Sequence, residues 1–397
     1  MTTEAPTRSP RLTAVLRDDE RVTPLELFFD LVFVLAITQC TALMAHDPTW
    51  DGLARGMLVL GMLWWAWVGY AWLTSVVDPE EGGVRLAMFA AMAALLVVAL
   101  CVPGAFGADA LLFAIAYGAV RAGHIALFVV ASRDDPGLRS SVLGLAGSTA
   151  IAVGLLVGAS FAGGLAQGLI WAAALLLDMG APFFFGTDGW KLVPGHFAER
   201  HGLIVLIALG ESIVAIGVGA QHGVDIGVVA AAVIGMAVAA AQWWLYFDVV
   251  AIVASRRLAK AAAGRERNAM ARDSYSYMHF PMVAGIVLVA LGMKTTLAHV
   301  EDPLKAAPAA ALLGGTSLYL LAHVAFRYRH VHTLNRRRLG CAIVLLALLP
   351  AAAELPALAT VGIVAALLSV LIAIETHSYG PSRERVRRQL AREGELD

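Results

Sequence analysis

Long runs of apolar residues, separated by short polar stretches, occupy most of the 397-residue chain. A helix needs about 20 apolar residues to cross the roughly 30 Å hydrocarbon core of a bilayer. The chain has twelve such runs, and the eleventh, before Glu354 and Pro356, is the shortest. They lie near 25–45, 54–76, 85–103, 109–131, 141–161, 164–186, 202–220, 226–252, 275–293, 308–328, 339–354 and 357–376. The pattern predicts an all-α, polytopic integral membrane protein with about twelve transmembrane helices.

The composition favours the same class. Hydrophobic residues make up 59% of the chain and charged residues 15%, with a mean hydropathy of +0.74, whereas soluble domains carry about 25% charged residues. The three cysteines form no short-spaced pair, which argues against a disulfide framework or a zinc site. The chain has no Gly-x4-Gly-Lys-[Ser/Thr] nucleotide-binding motif. We therefore expect neither a cofactor nor a metal site.

The basic residues are distributed unevenly although the net charge is only −1. If both termini are cytoplasmic, 25 of the 29 Lys and Arg residues lie in cytoplasmic segments, 3 lie in outer loops, and Arg121 lies within a span. This bias is typical of a correctly assigned topology. It predicts a cell inner-membrane protein with both termini in the cytoplasm. The basic loops suit anionic lipid as a partner and argue against nucleic acid.

The two halves of the chain carry similar residues at corresponding places. The matching sets are Tyr117, Arg121 and His124 with Tyr319, His323 and Arg327, and Asp178 with Glu375. Six spans per half would make the halves parallel repeats. We therefore predict a disordered cytoplasmic tail at 1–20, membrane repeat 1 at 21–186, a linker at 187–198, membrane repeat 2 at 199–377 and a basic cytoplasmic tail at 378–397.

Two carboxylates stand near the start of the first span. Thr23 is a predicted N-cap, and Glu26 completes a capping box three residues later. Glu26 and Asp30 are four residues apart and so share one helix face. Such a pair can bind a cation, carry a proton, or be neutralised by Arg21 and Arg200 at the cytoplasmic edge.

Other ionisable residues fall in the middle of predicted spans, where each costs roughly 3 kcal/mol or more unless it has a partner or a hydrated cavity. Glu211 is central in the seventh span and Arg121 in the fourth. A structural ion pair of Arg121 with Glu211 or Asp178 is one interpretation, and a substrate or ion pathway is the other. The candidate pathway residues are Glu26, Asp30, Arg121, His124, Asp178, Glu211 and His279.

Two segments resemble the signature sequences of the bacterial low temperature requirement A (LtrA) family. They are Pro24-Leu-Glu-Leu-Phe-Phe-Asp-Leu-Val-Phe-Val34 and Gly202-Leu-Ile-Val-Leu-Ile-Ala-Leu-Gly-Glu-Ser212. The resemblance extends over about 25–377 and implies a multi-pass bacterial inner-membrane protein without an established activity. It marks the motif positions Glu26, Phe29, Asp30, Gly210, Glu211 and Ser212 but assigns no catalytic residue. A looser likeness to potassium channels with Arg-x3-Phe-Ser-Asp is weakened because Phe replaces Ser here and the seventh span lacks the motif.

The leading functional hypothesis is passage of a small solute or ion by proton-coupled transport, with the site at the interface of the repeats. One alternative is an intramembrane enzyme that acts on a lipid or isoprenoid, with Glu211, Asp178 or His279 as general acid or base. An ion channel and a purely structural membrane protein are the others. The sequence leaves open whether the chain forms a homo-oligomer.

Overall fold

The computed structural model describes residues 21–80, 82–184, 189–223 and 225–393, and 84% of the structure is helical. The predicted disordered tail at 1–20 lies outside the described residues, as do the last four residues of the predicted basic tail. The helices are α1 (Pro24–His46), α2 (Trp50–Thr74), α3 (Gly82–Cys101), α4 (Ala110–Ala131), α5 (Pro136–Ala159), α6 (Gly164–Phe184), α7 (Pro194–Gly219), α8 (Ile226–Phe247), α9 (Val250–Lys260), α10 (Arg265–Met270), α11 (His279–Ala298), α12 (Ala306–Val331), α13 (Arg336–Ala347), α14 (Leu349–Ala352) and α15 (Ala357–Glu393). A π-helical turn, Ala271–Tyr277, joins α10 to α11.

Within these ranges, eleven helical segments are long and apolar enough to cross a membrane. The all-helical, multi-pass prediction is therefore confirmed, whereas the count of twelve stays a prediction. The difference lies at the eleventh predicted span, where α13 has only 12 residues and α14 only 4. Pro350 lies in the first turn of α14, where its missing N–H does no harm, but it cannot donate a bond that would continue α13.

The predicted capping box at the start of α1 is confirmed. The Thr23 amide donates to Glu26 Oε2 at 2.9 Å, and the Glu26 amide donates to Thr23 Oγ1 at 3.4 Å. This reciprocal bonding satisfies amides that have no partner within the first turn of a helix. It also fixes the direction in which Glu26 leaves the helix.

The chain divides into two compact units. Unit 1 takes its described residues from Met1–Leu43, Ala54–Arg200 and Ala261–Arg272, and unit 2 from Met44–Leu53, His201–Lys260 and Asp273–Asp397. In unit 1, α3 packs on α4, α4 on α5, and α5 on α6. In unit 2, α11 packs on α12, α12 on α13, and α8 on α15.

The outer helices of unit 1 expose large apolar side chains that would be unfavourable in water. Leu86 on α3 is 70% exposed and Leu176 on α6 is 72% exposed. By contrast, α2 is mostly buried, including the side chains of Trp67 and Tyr70. Because lipid is an apolar solvent, these exposed faces are expected to contact the bilayer, while α2 forms the interior of unit 1.

Small residues allow α11 and α12 of unit 2 to approach closely. A Cβ added to Gly285 would lie 2.6 Å from the Gly315 carbonyl oxygen, and one added to Gly315 would lie 2.7 Å from Leu288 Cβ. Glycines at such crossings let helix backbones come together inside a membrane. This contact holds α12, which carries several of the polar residues of unit 2.

Candidate functional site

The first buried polar cluster of unit 1 is formed by α1, α2 and α7 and is called here the Arg200 network. Each helix supplies side chains from one face, because residues four or seven apart project in the same direction. Its members are Glu26, Asp30, Trp67, Thr74, Ser75, His196 and Arg200. The cluster brings together both predicted carboxylates of the first span and one of the two arginines predicted to neutralise them.

Arg200 joins the two carboxylates. Its Nη1 donates to Glu26 Oε1 at 2.9 Å and to Thr74 Oγ1 at 3.1 Å, and its Nη2 donates to Asp30 Oδ1 at 2.7 Å. The Trp67 indole N–H donates to the same Asp30 oxygen at 2.9 Å. The Arg200 guanidinium carbon also lies 5.6 Å from the centre of the Trp67 ring, a cation–π distance. These contacts hold Asp30 by one oxygen only.

His196 contacts Glu26 and Ser75 in the Arg200 network. Its Nε2 lies 2.9 Å from Glu26 Oε1, and its Nδ1 lies 3.1 Å from the Ser75 hydroxyl oxygen. Within the described part of the chain, Asp30 Oδ2 and Arg200 Nε have no hydrogen-bond partner. The network is therefore well bonded at Glu26 and incompletely bonded at Asp30.

The second polar cluster of unit 1, the Arg121 network, lies near the middle of α4, α5 and α6. Arg121 Nη2 is 3.1 Å from Asp178 Oδ1 and donates to Thr149 Oγ1 at 2.9 Å. The Thr149 hydroxyl donates to the same Asp178 oxygen at 2.7 Å. Arg121 Nη1 makes a long contact of 3.4 Å with the Trp65 carbonyl oxygen. Of the two carboxylates predicted as partners of Arg121, the structure pairs it with Asp178.

Several buried atoms of the Arg121 network lack a hydrogen-bond partner among the described residues. Tyr117 and His124 lie on the same face of α4 as Arg121, and all three side chains are almost completely buried. The atoms without a partner are Tyr117 Oη, Arg121 Nε, His124 Nδ1, His124 Nε2 and Asp178 Oδ2. Native proteins seldom leave buried polar atoms unsatisfied. Buried atoms of unit 2 also lack a partner among the described residues, including His323 Nε2 and both side-chain polar atoms of Gln242.

Unit 2 contains a buried arginine–carboxylate pair of its own, in the Arg338 network. Arg338 grips Glu375 with two bonds, Nε to Oε1 at 3.0 Å and Nη2 to Oε2 at 2.9 Å. The side-chain amide of Asn335 donates to Glu375 Oε1 at 2.6 Å, and Arg338 Nη1 lies 2.8 Å from His323 Nδ1. Bidentate pairing of this kind is the strongest geometry for arginine and carboxylate. Arg338 is one of the basic residues that the predicted topology counts in cytoplasmic segments, and its contact with Glu375 was not predicted.

His279, the remaining predicted histidine, lies in an aromatic cluster of unit 2. Its Nε2 is 2.8 Å from the Tyr246 hydroxyl, and its Nδ1 is 3.0 Å from the Ser274 carbonyl oxygen. Because a carbonyl can only accept, Nδ1 carries the hydrogen and Nε2 accepts from Tyr246. The ring of Tyr275 stacks on His279 with 5.1 Å between centres, and His201 lies 5.2 Å away.

Glu211, the central carboxylate of the predicted pathway, lies in α7 and belongs to unit 2. It is 2% exposed, and its neighbour Ser212 is completely buried. Glu211 is thus buried within α7, and its place in a substrate or ion pathway stays a prediction.

Two further observations concern metal ligands and the exposure of the tryptophans. The ring nitrogens of His196 contact Glu26 and Ser75. Among the residues described, there is no group of three or more His, Cys, Asp and Glu side chains placed to hold a metal ion. The tryptophans differ in exposure, since Trp67 is buried and Trp243 is 43% exposed.

Comparisons with known proteins identify the family to which the chain belongs. No solved structure matches the chain. An uncharacterized protein of Rhizobium meliloti (strain 1021) is 30% identical over 316 residues, which is 74% of each chain. The family described as "Bacterial low temperature requirement A protein (LtrA)" matches residues 21–373. The resemblance seen in the sequence is confirmed, and the chain belongs to the bacterial low temperature requirement A family.

Proposed function

We propose that this protein moves a small solute or ion across the bacterial inner membrane, coupled to protons, and that the Arg121 network contacts the solute or its water. The observation that carries the proposal is the group of buried atoms without partners around Arg121 and Asp178. Each unsatisfied buried polar group costs about 1–3 kcal/mol. In a cluster that serves only for packing, this cost would bring no benefit. In a hydrated or ligand-binding site, the same atoms would form hydrogen bonds to water or to the ligand.

Charge balance narrows the chemistry at this site. Arg121 and Asp178 carry opposite charges and neutralise each other at 3.1 Å. The remaining atoms, the Tyr117 hydroxyl and the His124 ring nitrogens, offer neutral donors and acceptors. The network is therefore suited to an uncharged polar molecule or to water, and it would bind a charged solute only if the ion pair opened.

The topology that we propose has twelve spans with both termini in the cytoplasm. The short helix α13, together with α14, would complete the eleventh span. Two parallel repeats are supported by the polar residues inside each unit, because Tyr117 and Asp178 have counterparts in Tyr319 and Glu375. Reporter fusions at Asp397 and near Asp47 should report opposite sides of the membrane, and a shared compartment would contradict the twelve-span topology.

The transport proposal is tested with matched double replacements in proteoliposomes that contain a pH-sensitive dye. One variant carries Arg121→Met with Asp178→Leu, and the other carries Arg338→Met with Glu375→Leu. Each variant removes a complete ion pair and so leaves no uncompensated buried charge. Panels of uncharged, anionic and cationic solutes are then applied under a proton gradient.

We expect one solute class to drive proton movement with the wild-type protein. The unit 1 variant should lose this movement and the unit 2 variant should keep it. Glu211→Gln, tested beside them, reports whether that carboxylate belongs to the same pathway. Equal activity of the two double variants would remove the Arg121 network from the mechanism. A wild-type protein that moves no solute and no proton would favour the structural alternative.

A specific observation keeps an enzymatic function as the second candidate. The Tyr246 hydroxyl donates to His279 Nε2, and the Ser274 carbonyl orients the ring through Nδ1. A hydroxyl paired with an oriented imidazole is an arrangement used in acid–base catalysis. Turnover of lipid or isoprenoid substrates that disappears in Tyr246→Phe, without any solute flux in the wild type, would favour this alternative.

A further inference from the structure

The Arg200 network has an imbalance of charge that the Arg121 network lacks. Two carboxylates, Glu26 and Asp30, face a single guanidinium, that of Arg200. All three side chains are completely buried, as is the ring of His196. With a neutral imidazole, the described members of the network therefore carry one surplus negative charge.

The groups that face this charge come from three helices. From α1 they are the two carboxylates, and from α7 they are His196 and Arg200. The end of α2 supplies neutral groups, the Trp67 indole and the hydroxyls beside it. Glu199, the residue before Arg200 on α7, is exposed, and its carboxylate accepts a hydrogen bond from the Val22 amide. Burying two carboxylates close together is strongly unfavourable, so a proton bound within the cluster would lower the cost of their burial.

His196 is arranged to accept a proton without any heavy atom moving. Its Nε2 lies against Glu26 Oε1, an acceptor, so Nε2 carries a hydrogen in either protonation state. Its Nδ1 faces the Ser75 hydroxyl, which can donate to a neutral ring or accept from a protonated one by rotating its hydrogen. Protonation at Nδ1 would therefore keep both hydrogen bonds and remove the surplus charge.

Asp30 offers a second place for the same proton. Its Oδ1 accepts from both Arg200 and Trp67, while its Oδ2 is buried and has no partner in the described part of the chain. A proton on Oδ2 would neutralise the carboxyl group and leave the two bonds to Oδ1 in place. We propose that the Arg200 network is a binding site for one exchangeable proton, shared between His196 Nδ1 and Asp30 Oδ2.

A proton fits this site better than a metal cation. Metal cations such as calcium and magnesium take about six or more oxygen ligands, whereas Asp30 presents one unpartnered oxygen here. The Arg200 Nη2 atom, 2.7 Å from the other oxygen of Asp30, would also repel a cation. A proton needs no further ligands and occupies almost no volume.

This inference deepens the proposed function, because it assigns the coupling proton to a cluster separate from the Arg121 network. Its role in coupling rests on that function, but the binding of the proton can be measured without any transport. Failure of the transport assay alone would leave proton binding standing. If no proton is bound, the Arg200 network is excluded as a proton site, and the solute flux measurements still test the Arg121 network.

The experiment measures protonation directly in the full-length protein in lipid nanodiscs. Nitrogen-15 NMR of histidine-labelled protein distinguishes a doubly protonated ring from the neutral tautomers, and infrared difference spectra detect a protonated carboxyl group. The variants are His196→Gln, Asp30→Asn and the combination of both. His299→Gln is the matched control, since that ring is 67% exposed and lies outside the network. Thermal unfolding establishes that each variant is folded.

We expect one bound proton per wild-type chain at neutral pH, shown by a doubly protonated ring, a protonated carboxyl band, or fractions of the two that sum to one. In His196→Gln the proton should appear entirely as a carboxyl band, and the double variant should lose that band. In Asp30→Asn, which keeps the shape of the side chain, the His196 ring should become neutral because no surplus charge remains. This variant tests the proposal even if His196→Gln does not fold.

Three results would overturn the proposal. The first is a wild-type protein with neither a doubly protonated ring nor a protonated carboxyl group assignable to these residues. The second is a His196 signal that Asp30→Asn leaves unchanged. The third is a response of the same signals to sodium or potassium at constant pH, which would make the site one for a metal cation.

Discussion

The two units of the protein each bury an arginine–carboxylate pair, yet the two pairs are bonded very differently. In unit 2, Arg338 holds Glu375 through two short bonds, and the side-chain amide of Asn335 adds a third. In unit 1, Arg121 reaches one oxygen of Asp178 at 3.1 Å, and the other oxygen has no partner among the described residues. The same chemistry thus forms a closed pair in one unit and an open pair in the other. The open pair is the one suited to exchange its partners for water or a solute.

The largest expected effect comes from breaking the closed pair. Glu375→Gln leaves Arg338 charged and uncompensated in a buried site, which should cost about 3–5 kcal/mol of unfolding free energy. The double replacement Arg338→Met with Glu375→Leu should recover most of that loss. Unfolding midpoints in detergent measure both effects, with Glu354→Gln as a control at an exposed glutamate. A Glu375→Gln protein as stable as the control would show that this pair is not closed.

The equivalent change in the open pair should cost less. Asp178→Asn also leaves an arginine without its counter-ion, but water at the unpartnered atoms can solvate Arg121, so we expect about 1–2 kcal/mol. Flux in proteoliposomes should nevertheless be lost. The two unfolding free energies are compared under identical conditions. A loss in Asp178→Asn equal to that in Glu375→Gln would mean that the Arg121–Asp178 pair is as closed as the Arg338–Glu375 pair.

A pair of tyrosine variants tests the difference between the open pair of unit 1 and the closed pair of unit 2 by removing one hydroxyl group from each unit. Tyr319→Phe removes a hydrogen bond to the Gln242 carbonyl oxygen and should cost about 1 kcal/mol. Tyr117→Phe removes a hydroxyl that interacts with Asp178 without meeting hydrogen-bond geometry, and it should change stability by less than about 0.5 kcal/mol. Its flux should still fall if the hydroxyl contacts water or solute. A reversed order of stability losses would contradict the assignment of Tyr117 to the open site.

The smallest effect is expected for a surface ion pair that serves as a baseline. Lys191 lies 3.1 Å from Asp135, and its side chain is 50% exposed. Lys191→Met should therefore cost no more than about 1 kcal/mol of unfolding free energy, which thermal unfolding measures.

Asp135 gives a further prediction, on the pH dependence of stability. The Leu138 amide and Lys191 hold the pKa of Asp135 below its ordinary value, so the stabilising effect of the Asp135 carboxylate is present above the unfolded-state pKa. That effect should disappear as the pH falls through the folded-state pKa, which unfolding midpoints across acidic pH would detect.

The outline of the fold and part of the site follow from the sequence. Apolar run length predicted the multi-pass helical structure, and the capping residues predicted the start of α1. The cost of an isolated charge at membrane depth identified Arg121 and Glu211 as residues in need of partners, and Asp178 was one of two possible partners of Arg121. Helix periodicity placed Glu26 and Asp30 on one face, and Arg200 was named as one of two possible partners.

Other features depended on contacts that one sequence does not reveal. Arg338 stands beside two exposed arginines, so composition alone could not separate a buried partner of Glu375 from residues that orient the chain. The choice of Asp178 over Glu211 as the partner of Arg121 depended on the packing of α4 on α5 and of α5 on α6. The burial of Trp67 and the exposure of Trp243 also escaped prediction, because a helix apolar on every side gives no periodic signal for its lipid face.

Oxidative footprinting tests the central claim, that the open Arg121–Asp178 pair is hydrated and the closed Arg338–Glu375 pair is not. Tyr117 and Tyr319 are both 0% exposed, so static burial predicts equal protection of the two rings. Hydroxyl radicals generated in nanodiscs modify buried tyrosines at sites that internal water reaches. We expect Tyr117 to be modified much faster than Tyr319 in the folded protein, with the difference lost on unfolding. Equal and complete protection of the two rings would contradict a hydrated site in unit 1.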